Sequence, residues 1–511
     1  MSPRRSPRRL LVSPVVLAAF ALCACTVGPD YHAPDVPVPV KFATAGDFDG
    51  GTPLLAWWQV LGDENLTELI ERAIGGVNLD LQSAEARIRE ARAELGVAGA
   101  AELPSVNARA QVSRDRFSRN SELFANFPIP NPQLAFTDYR AGFDASWELD
   151  VFGHVRRSVE AANARMQSAQ ANWHDVRISV AAEVARTYIV LRQTQAQIAL
   201  AQADRKALEQ TFALVRLRFD AGNASELEVR RASASVQIQT ALLDSLHADQ
   251  GAALDALAVL IGTTSADVAT LIKPDLPVPA VRADRIAVGL PSDLLRRRPD
   301  VRRAERDLAA ATADIGIATA DLYPRFTLIG NFGAESVQPG EFGQQASRTW
   351  SLAPQMYLPL FGRGRLTSEV SAREAARDAS LAAYQKSVLQ ALSDVEAAMI
   401  RYDRARARVV SLEKVSQDLD AYAVLVRTQY QAGRSSLMDL LDAERQARQA
   451  EEQRVDALAS LATQLVALYK ALGGGWDGQE LAQGGLDAPT AASAGRLPNP
   501  AMGAAADTQA R

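Results

Sequence analysis

Residues 427–445 read "RTQYQAGRSSLMDLLDAER", a strong helical pattern interrupted by one glycine, Gly433. The stretch from Arg216, "RLRFDAGNASELEVRRA", says nearly the same thing 211 positions earlier, around Gly222. Before each glycine lies a very long segment, residues 154–221 and 365–432, with neither glycine nor proline. Each segment would make a helix of roughly 100 Å at 1.5 Å per residue. Apolar residues keep coiled-coil spacing along them, as in Val180, Val184, Tyr188 and Leu191, and in Val388, Leu392, Val395 and Met399. A second helix is expected to return after each glycine, over about 224–262 and 434–472. The two tips therefore read as helical hairpins with glycine at the reversal.

Working outward, the halves of the chain repeat one another. "NLDLQSAEARIREARAELGVAGAAELP" (78–104) aligns without a gap with "RPDVRRAERDLAAATADIGIATADLYP" (298–324), with identities from Asp80 and Asp300 to Pro104 and Pro324. Each copy ends in a helix-stopping proline. Alternation follows. Val106, Ala108, Ala110 and Val112 fall on one face, and so do Tyr139, Ala141, Phe143, Ala145, Trp147, Leu149 and Val151. The second half does the same with Phe326, Leu328 and Phe332, then Trp350, Leu352, Met356, Leu358 and Leu360. Period two predicts strands, two per half. Their length and one-sided apolarity suit a membrane β-barrel. A soluble sheet with one wet face is the alternative. Four strands cannot close a barrel alone, and an open edge in lipid is not tolerated, so a barrel would be shared between chains.

The N-terminus carries Arg4, Arg5, Arg8 and Arg9 ahead of "LVSPVVLAAFAL", which reads as a secretory signal peptide over 1–24. Leu22-Cys23-Ala24-Cys25 fits a lipoprotein signal with Cys25 as the acceptor; ordinary secretion is the alternative. No cysteine follows Cys25, so disulfides and thiolate metal sites are not expected. His32, His154, His174 and His247 are scattered, and no metal site is expected. There is no phosphate loop, dinucleotide fingerprint or nucleophile elbow. Neither catalytic residues nor a cofactor are expected. The chain has a net charge of −5 even with the four leader arginines, which argues against a nucleic-acid partner. No apolar run after the leader is long enough for a membrane-spanning helix.

These features resemble the TolC-type outer-membrane channels, in the OprM-like (NodT) lipoprotein branch. "CTVGPDYHAP" (25–34), "WW" (57–58), "LTELIERA" (66–73), "GLPSDLLRRRPDVRRAE" (289–305), "DLYPRFTLIGNFG" (321–333) and "YQAGRSSLMDLLDAE" (430–444) carry the resemblance in order. "QVLGDENL" (59–66) departs from the family's habit of an aromatic there. The resemblance implies a mostly α chain with a membrane β-barrel part. A homotrimer would share a twelve-stranded barrel continued by a periplasmic helical tunnel. The expected division is a lipidated extended segment (25–60), a first repeat (61–275), a second repeat (276–476) and a disordered tail (477–511).

By the same resemblance the function is that of an outer-membrane exit duct for small molecules, docked to a periplasmic adaptor and an inner-membrane RND transporter. A duct for type I protein secretion and a structural coiled-coil spacer are the other readings. The resemblance puts the hairpin tips, Gly222 and Gly433, at the periplasmic mouth, where adaptors dock. It makes Asp439 and Asp442 aperture acids, with Met438 as an apolar collar. Tyr430, Arg434 and Glu228 are expected to link neighbouring helices by hydrogen bonds or ion pairs. Arg231 stands on the first tip where the second has Asp442. A threefold ring of such aspartates would attract cations and disfavour mutual ionisation.

Overall fold

The computed structural model describes residues 26–44, 48–49, 51, 54–119, 134–274, 276–281 and 286–476. The leader, Cys25 and the 477–511 tail lie outside them.

The helices that matter are α1 (Glu64–Arg72), α2 (Leu79–Ala100), α3 (His154–Asp220), α4 (Glu226–Leu260), α5 (Ser265–Leu271), α6 (Pro291–Arg297), α7 (Pro299–Ala320), α8 (Arg363–Gln431) and α9 (Leu437–Ala471). The strands of the main sheet are β1 (Ser105–Arg116), β2 (Ala135–Leu149), β3 (Arg325–Ser336) and β4 (Arg348–Tyr357); Phe48–Asp49 and Ile286–Ala287 pair in a separate two-stranded parallel sheet. The order α2, two strands, α3, α4 thus recurs as α7, two strands, α8, α9. None of the described helices is by itself long and apolar enough to cross a membrane.

The four strands form one antiparallel sheet in chain order, leaving β1 and β4 as its edges. Register sorts the two faces. Phe143 stands opposite Phe332, Trp147 opposite Leu328, and Phe332 opposite Trp350, so one face is apolar through these rows. It is exposed: Phe332 is 60 % accessible, Trp350 76 % and Leu352 65 %. The other face is polar and cross-linked. Arg140 donates to Glu335 (3.0 Å) and pairs with Asp138, while Asn331 donates to Ser351 (2.7 Å). Val151, Leu358 and Leu360, expected in the alternation, lie beyond the strand ends. The Val151 N–H turns back to the Leu149 carbonyl (2.8 Å), and Pro359 cannot donate to a ladder.

The helices form two tiers in the same lateral sense. Next to the sheet, α2 packs on α3, α3 on α7 and α7 on the first part of α8. Arg165 of α3 binds Asp314 of α7 there (2.6 Å), and Tyr384 and Val388 of α8 pack on Val301 and Leu308 of α7. Farther away α4 packs on α3, α3 on α9 and α9 on α8. Gln193 and Gln197 of α3 both donate to Asp456 of α9 (2.8 Å each). The apolar seam foreseen at Val180, Val184, Tyr188 and Leu191 is buried, together with Val395, Met399 and Leu465. At 67 and 69 residues, α3 and α8 each run about 100 Å.

Between the tiers sits a belt of buried side chains. Trp57 stacks on Tyr469 (5.7 Å between centroids), which explains the paired tryptophans of the sequence. Arg298 is fixed by Asp300 and Asp394 (2.6 and 3.0 Å) and by the Ala471 carbonyl. Its guanidinium holds Asp300 below the usual carboxylate range despite burial. His174, stacked on Trp476 at 4.3 Å, is pushed down to about 4 by burial, with Arg177 and Arg302 adding to the effect.

The N-terminal segment is strapped to the top of the helices. The Val27 N–H donates to the Phe152 carbonyl (3.1 Å). The buried Arg157 donates to the carbonyls of Val27 and Gly28 and to Asp30 (2.7 Å). Gly28 lies so close to Gly316 that a Cβ would come within 2.5 Å of its Cα, and φ there is +88°. Thr26 packs on Gly153, between β2 and α3.

Candidate functional site at the hairpin tips

The two reversals have one construction. Gly222 and Gly433 take φ of +74° and +71°. A Cβ at either would meet open space, so it is the left-handed backbone, not crowding, that calls for glycine. The Gly222 N–H donates to Phe219 O and Asn223 N–H to Arg218 O; Gly433 N–H donates to Tyr430 O and Arg434 N–H to Gln429 O. This is the paired bonding that closes a helix on a left-handed residue. It satisfies carbonyls that the helix leaves open.

Three residues later each chain re-enters a helix through a reciprocal cap. Ser225 caps α4, its hydroxyl accepting from Glu228 N–H (3.3 Å), while the Glu228 carboxylate accepts from Ser225 N–H (2.7 Å). Ser436 and Asp439 do the same for α9, at 3.1 and 3.0 Å. The pattern Ser-x-x-Glu or Ser-x-x-Asp ahead of an apolar run was the visible signal for these starts. The returning helices therefore begin at Glu226 and Leu437, later than 224 and 434. Glu228 and Asp439 are equivalent residues, and each is spent locally on its own cap.

Asp442 lies one turn further along α9, exposed like Asp439. It accepts from Arg445 (2.5 Å) and Gln446 (2.6 Å). Within one chain, local hydrogen bonds set the ionisation of the two aspartates. Hydrogen bonds from Ser436 and Ser435 hold Asp439 below the usual carboxylate range. Arg445 and Gln446 do the same for Asp442, outweighing its like-charged neighbour Asp439. Local donors at contact distance prevail over a charge one turn away in water.

The tips share a core. Val215, Val229 and Ala232 of the first meet Val426, Tyr430, Leu437, Leu440 and Ala443 of the second. Tyr430 is 4 % exposed and lies under the Arg218 guanidinium (4.9 Å). Among the described residues of the single chain its hydroxyl makes no hydrogen bond. The exposed Arg434 side chain likewise has no ion-pair partner among them. Met438 is half exposed and touches Arg231 of the first tip. Leu217 and Leu227, 68 % and 75 % accessible, leave further apolar surface on the first tip.

Above the tips, Asp204 of α3 faces Arg448, Glu444 and Glu452 of α9 and Asp420 of α8. Burial raises it to about 6; Arg448 (3.7 Å) opposes the shift and the three acids reinforce it. Sequence spacing gave no sign of this group, because its members come from three helices.

A family model described as outer membrane efflux protein matches residues 71–263 and 290–474. Nodulation protein T of Rhizobium leguminosarum bv. trifolii is 32% identical over 463 residues, covering 90% of this chain and 96% of the relative. The antibiotic efflux pump outer membrane protein ArpC of Pseudomonas putida is 30% identical over 487 residues, 93% of this chain and 98% of that one. Among solved structures, the outer-membrane channel OprN superposes with a TM-score of 0.82 at 33% identity, covering 88% of this chain and 100% of that one.

Proposed function

The chain belongs to the outer membrane efflux protein family, and from that premise we propose that three copies form a passive exit duct for small molecules, gated at the helix tips. One observation carries the proposal: the molecule is unfinished along both flanks. β1 and β4 are unpaired edges of a sheet whose apolar face is bare. Beneath them, in the same lateral order, α2 buries only Leu81 and Ala84, and the first turns of α8 bury little but Leu366.

Edge strands cannot stay open in lipid. Two copies would give eight strands, whose bore side chains fill; three give twelve and leave a passage. The polar sheet face, with Arg109, Arg140, Asp144 and Glu335, would line that passage, and the apolar face would meet the membrane. From Tyr139 to Leu149 the apolar register spans roughly 33 Å along the strand, about 25 Å once tilted, the height of an outer-membrane belt. The helical columns would extend the duct into the periplasm. Cys25 would carry the lipid anchor, since Thr26 packs at the foot of β2, level with the lower rim of that belt.

At the far end Asp439 and Asp442 of three chains would ring the opening, with Met438 inside it. A periplasmic adaptor would dock over Gly222, Gly433 and the exposed leucines. Beyond it an inner-membrane transporter of the RND type would supply the work. A relative named for an antibiotic efflux pump supports small molecules as cargo. Light scattering of the detergent-solubilised full chain tests the assembly: three protein masses per particle are expected, and a stable single chain would overturn it.

A further inference from the structure

Three helices each turn one side towards the belt. On α8, Glu396 accepts from the Ala43 N–H (3.1 Å) and Tyr402 lies against Phe48, so the N-terminal strap covers that side. On α3 the Tyr188 hydroxyl donates to Asp63 (2.9 Å), and on α9 Tyr469 stacks on Trp57. At about 100° per residue, Arg401 lies about 140° around α8 from Glu396, Asp175 about 140° around α3 from Tyr188, and Ala467 about 160° around α9 from Tyr469. These three positions therefore look away from the belt, towards the side that a shared duct would enclose.

They border one hollow of ≈ 400 Å³, where α7 begins and α9 ends. Ile178, Ala397, Ala467 and Ala471 give it an apolar lining. Its carboxylates are answered within the wall. Arg298 binds Asp300 and Asp394, and Gln390 also donates to Asp394 (2.7 Å). Asp175 faces Arg303 (3.6 Å); burial and then Asp300 raise it above the usual carboxylate range, with Arg303 and Lys470 opposing. Two further cations of the hollow, Arg401 and Lys470, are exposed, and among the described residues neither has an ion-pair or hydrogen-bond partner. Arg298, Arg303, Arg401 and Lys470 against Asp175, Asp300 and Asp394 leave one positive charge in excess. That excess lies at the unpaired pair.

We propose that this hollow binds a small organic acid, its carboxylate held between Arg401 and Lys470 and its apolar body against the alanines. The spacing allows it. Arg298 reaches both Asp394 and the Ala471 carbonyl, and Ser416 donates to Glu451, which fixes the antiparallel levels of α8 and α9. Arg401 then lies about 7 Å below Lys470 along the axis, on helices packed about 8–10 Å apart, so their Cα atoms are roughly 12 Å apart. Each side chain reaches roughly 6 Å from its Cα, enough for both to close on one acidic group. The guanidinium fork matches a carboxylate edge, and the ammonium supplies a second charge. The charge pairing stands on one chain alone; the site's place in a bore rests on the duct reading. There it would give acidic cargo a resting point level with the belt.

The test uses the full chain in a neutral detergent and three probes with one body: para-trifluoromethylbenzoate, the corresponding benzyl alcohol and the corresponding benzylammonium. Fluorine NMR titrations, corrected with detergent alone, should show the benzoate bound and the alcohol and the ammonium bound far more weakly. Arg401→Gln and Lys470→Gln should each weaken benzoate binding about three-fold, and on the order of ten-fold together. Arg401→Lys with Lys470→Arg should retain most of the binding, which separates lost charge from lost folding. Equal benzoate binding by the double glutamine variant, or equal binding of the ammonium, would overturn the proposal. A single-chain particle that still binds the benzoate would overturn the duct and keep the site; a three-chain particle with no preference among the probes would do the reverse.

Discussion

The two hairpin tips share a backbone and differ in charge. Both turn on a left-handed glycine, both re-enter through a serine cap answered by a carboxylate, and their valines and alanines meet in one core. On either side of the turn they diverge: Arg231 stands on the first where Asp442 stands on the second, and Phe219 where Tyr430 lies. Turn chemistry is therefore what the fold demands of both. Asp442 is an acid of the second tip that its helix cap does not require, which makes it the side chain the proposed gate would use.

If the turns are equivalent, breaking either should cost the same. Gly222→Val and Gly433→Val should each destabilise their tip by at least about 1–2 kcal/mol, the cost of a side chain in the left-handed region. Hydrogen exchange at the two tips checks this; a loss at one tip alone would break the equivalence. Ser225→Ala and Ser436→Ala should each cost about 1 kcal/mol and fray only the first turn of α4 or α9, by the same measurement.

The smallest effect separates the tips from the helices above them. Asp204 is raised to about 6 by burial among Glu444, Glu452 and Asp420. A carboxyl whose folded pKa lies above its unfolded value weakens the fold when ionised, and that penalty fades as pH falls from above 6 towards 4. Asp204→Asn should therefore raise Tm at pH 7.5 and leave it nearly unchanged at pH 4. A lowered Tm at pH 7.5 would show that the pair with Arg448 prevails. The tip acids run the other way. Their lowered values keep them charged until the pH drops below the usual carboxylate range of about 4, and any stability they contribute is lost only there.

Much of this was legible in the residues because it is periodic. Proline-free helices, alternating strands and paired Ala-Gly reversals each leave a local pattern. The serine caps were equally local: "SELE" and "SLMD" carry the spacing, yet attention to glycine drew the helix starts two or three residues early. What sequence could not give is what depends on distant partners. Arg157 grips Gly28 and Asp30 from nearly 130 positions away, and Arg298 joins Asp394 to the end of α9. The resemblance alone gave Tyr430 an inter-helix hydrogen bond; no local pattern showed that, within one chain, its ring fills the shared core beneath Arg218. The sheet register, finally, places Arg114, Arg116 and Arg348 on the face that alternation alone made look uniformly apolar.

The most direct test of the gate is the reversal potential of single channels in a planar bilayer under a potassium chloride gradient. Wild type is compared with Asp439→Asn together with Asp442→Asn, since asparagine keeps the size of the capping side chain. Cation preference in the wild type, lost in the variant along with a several-fold rise in conductance, is the predicted result. Channels with the same selectivity and conductance in both proteins would contradict the account.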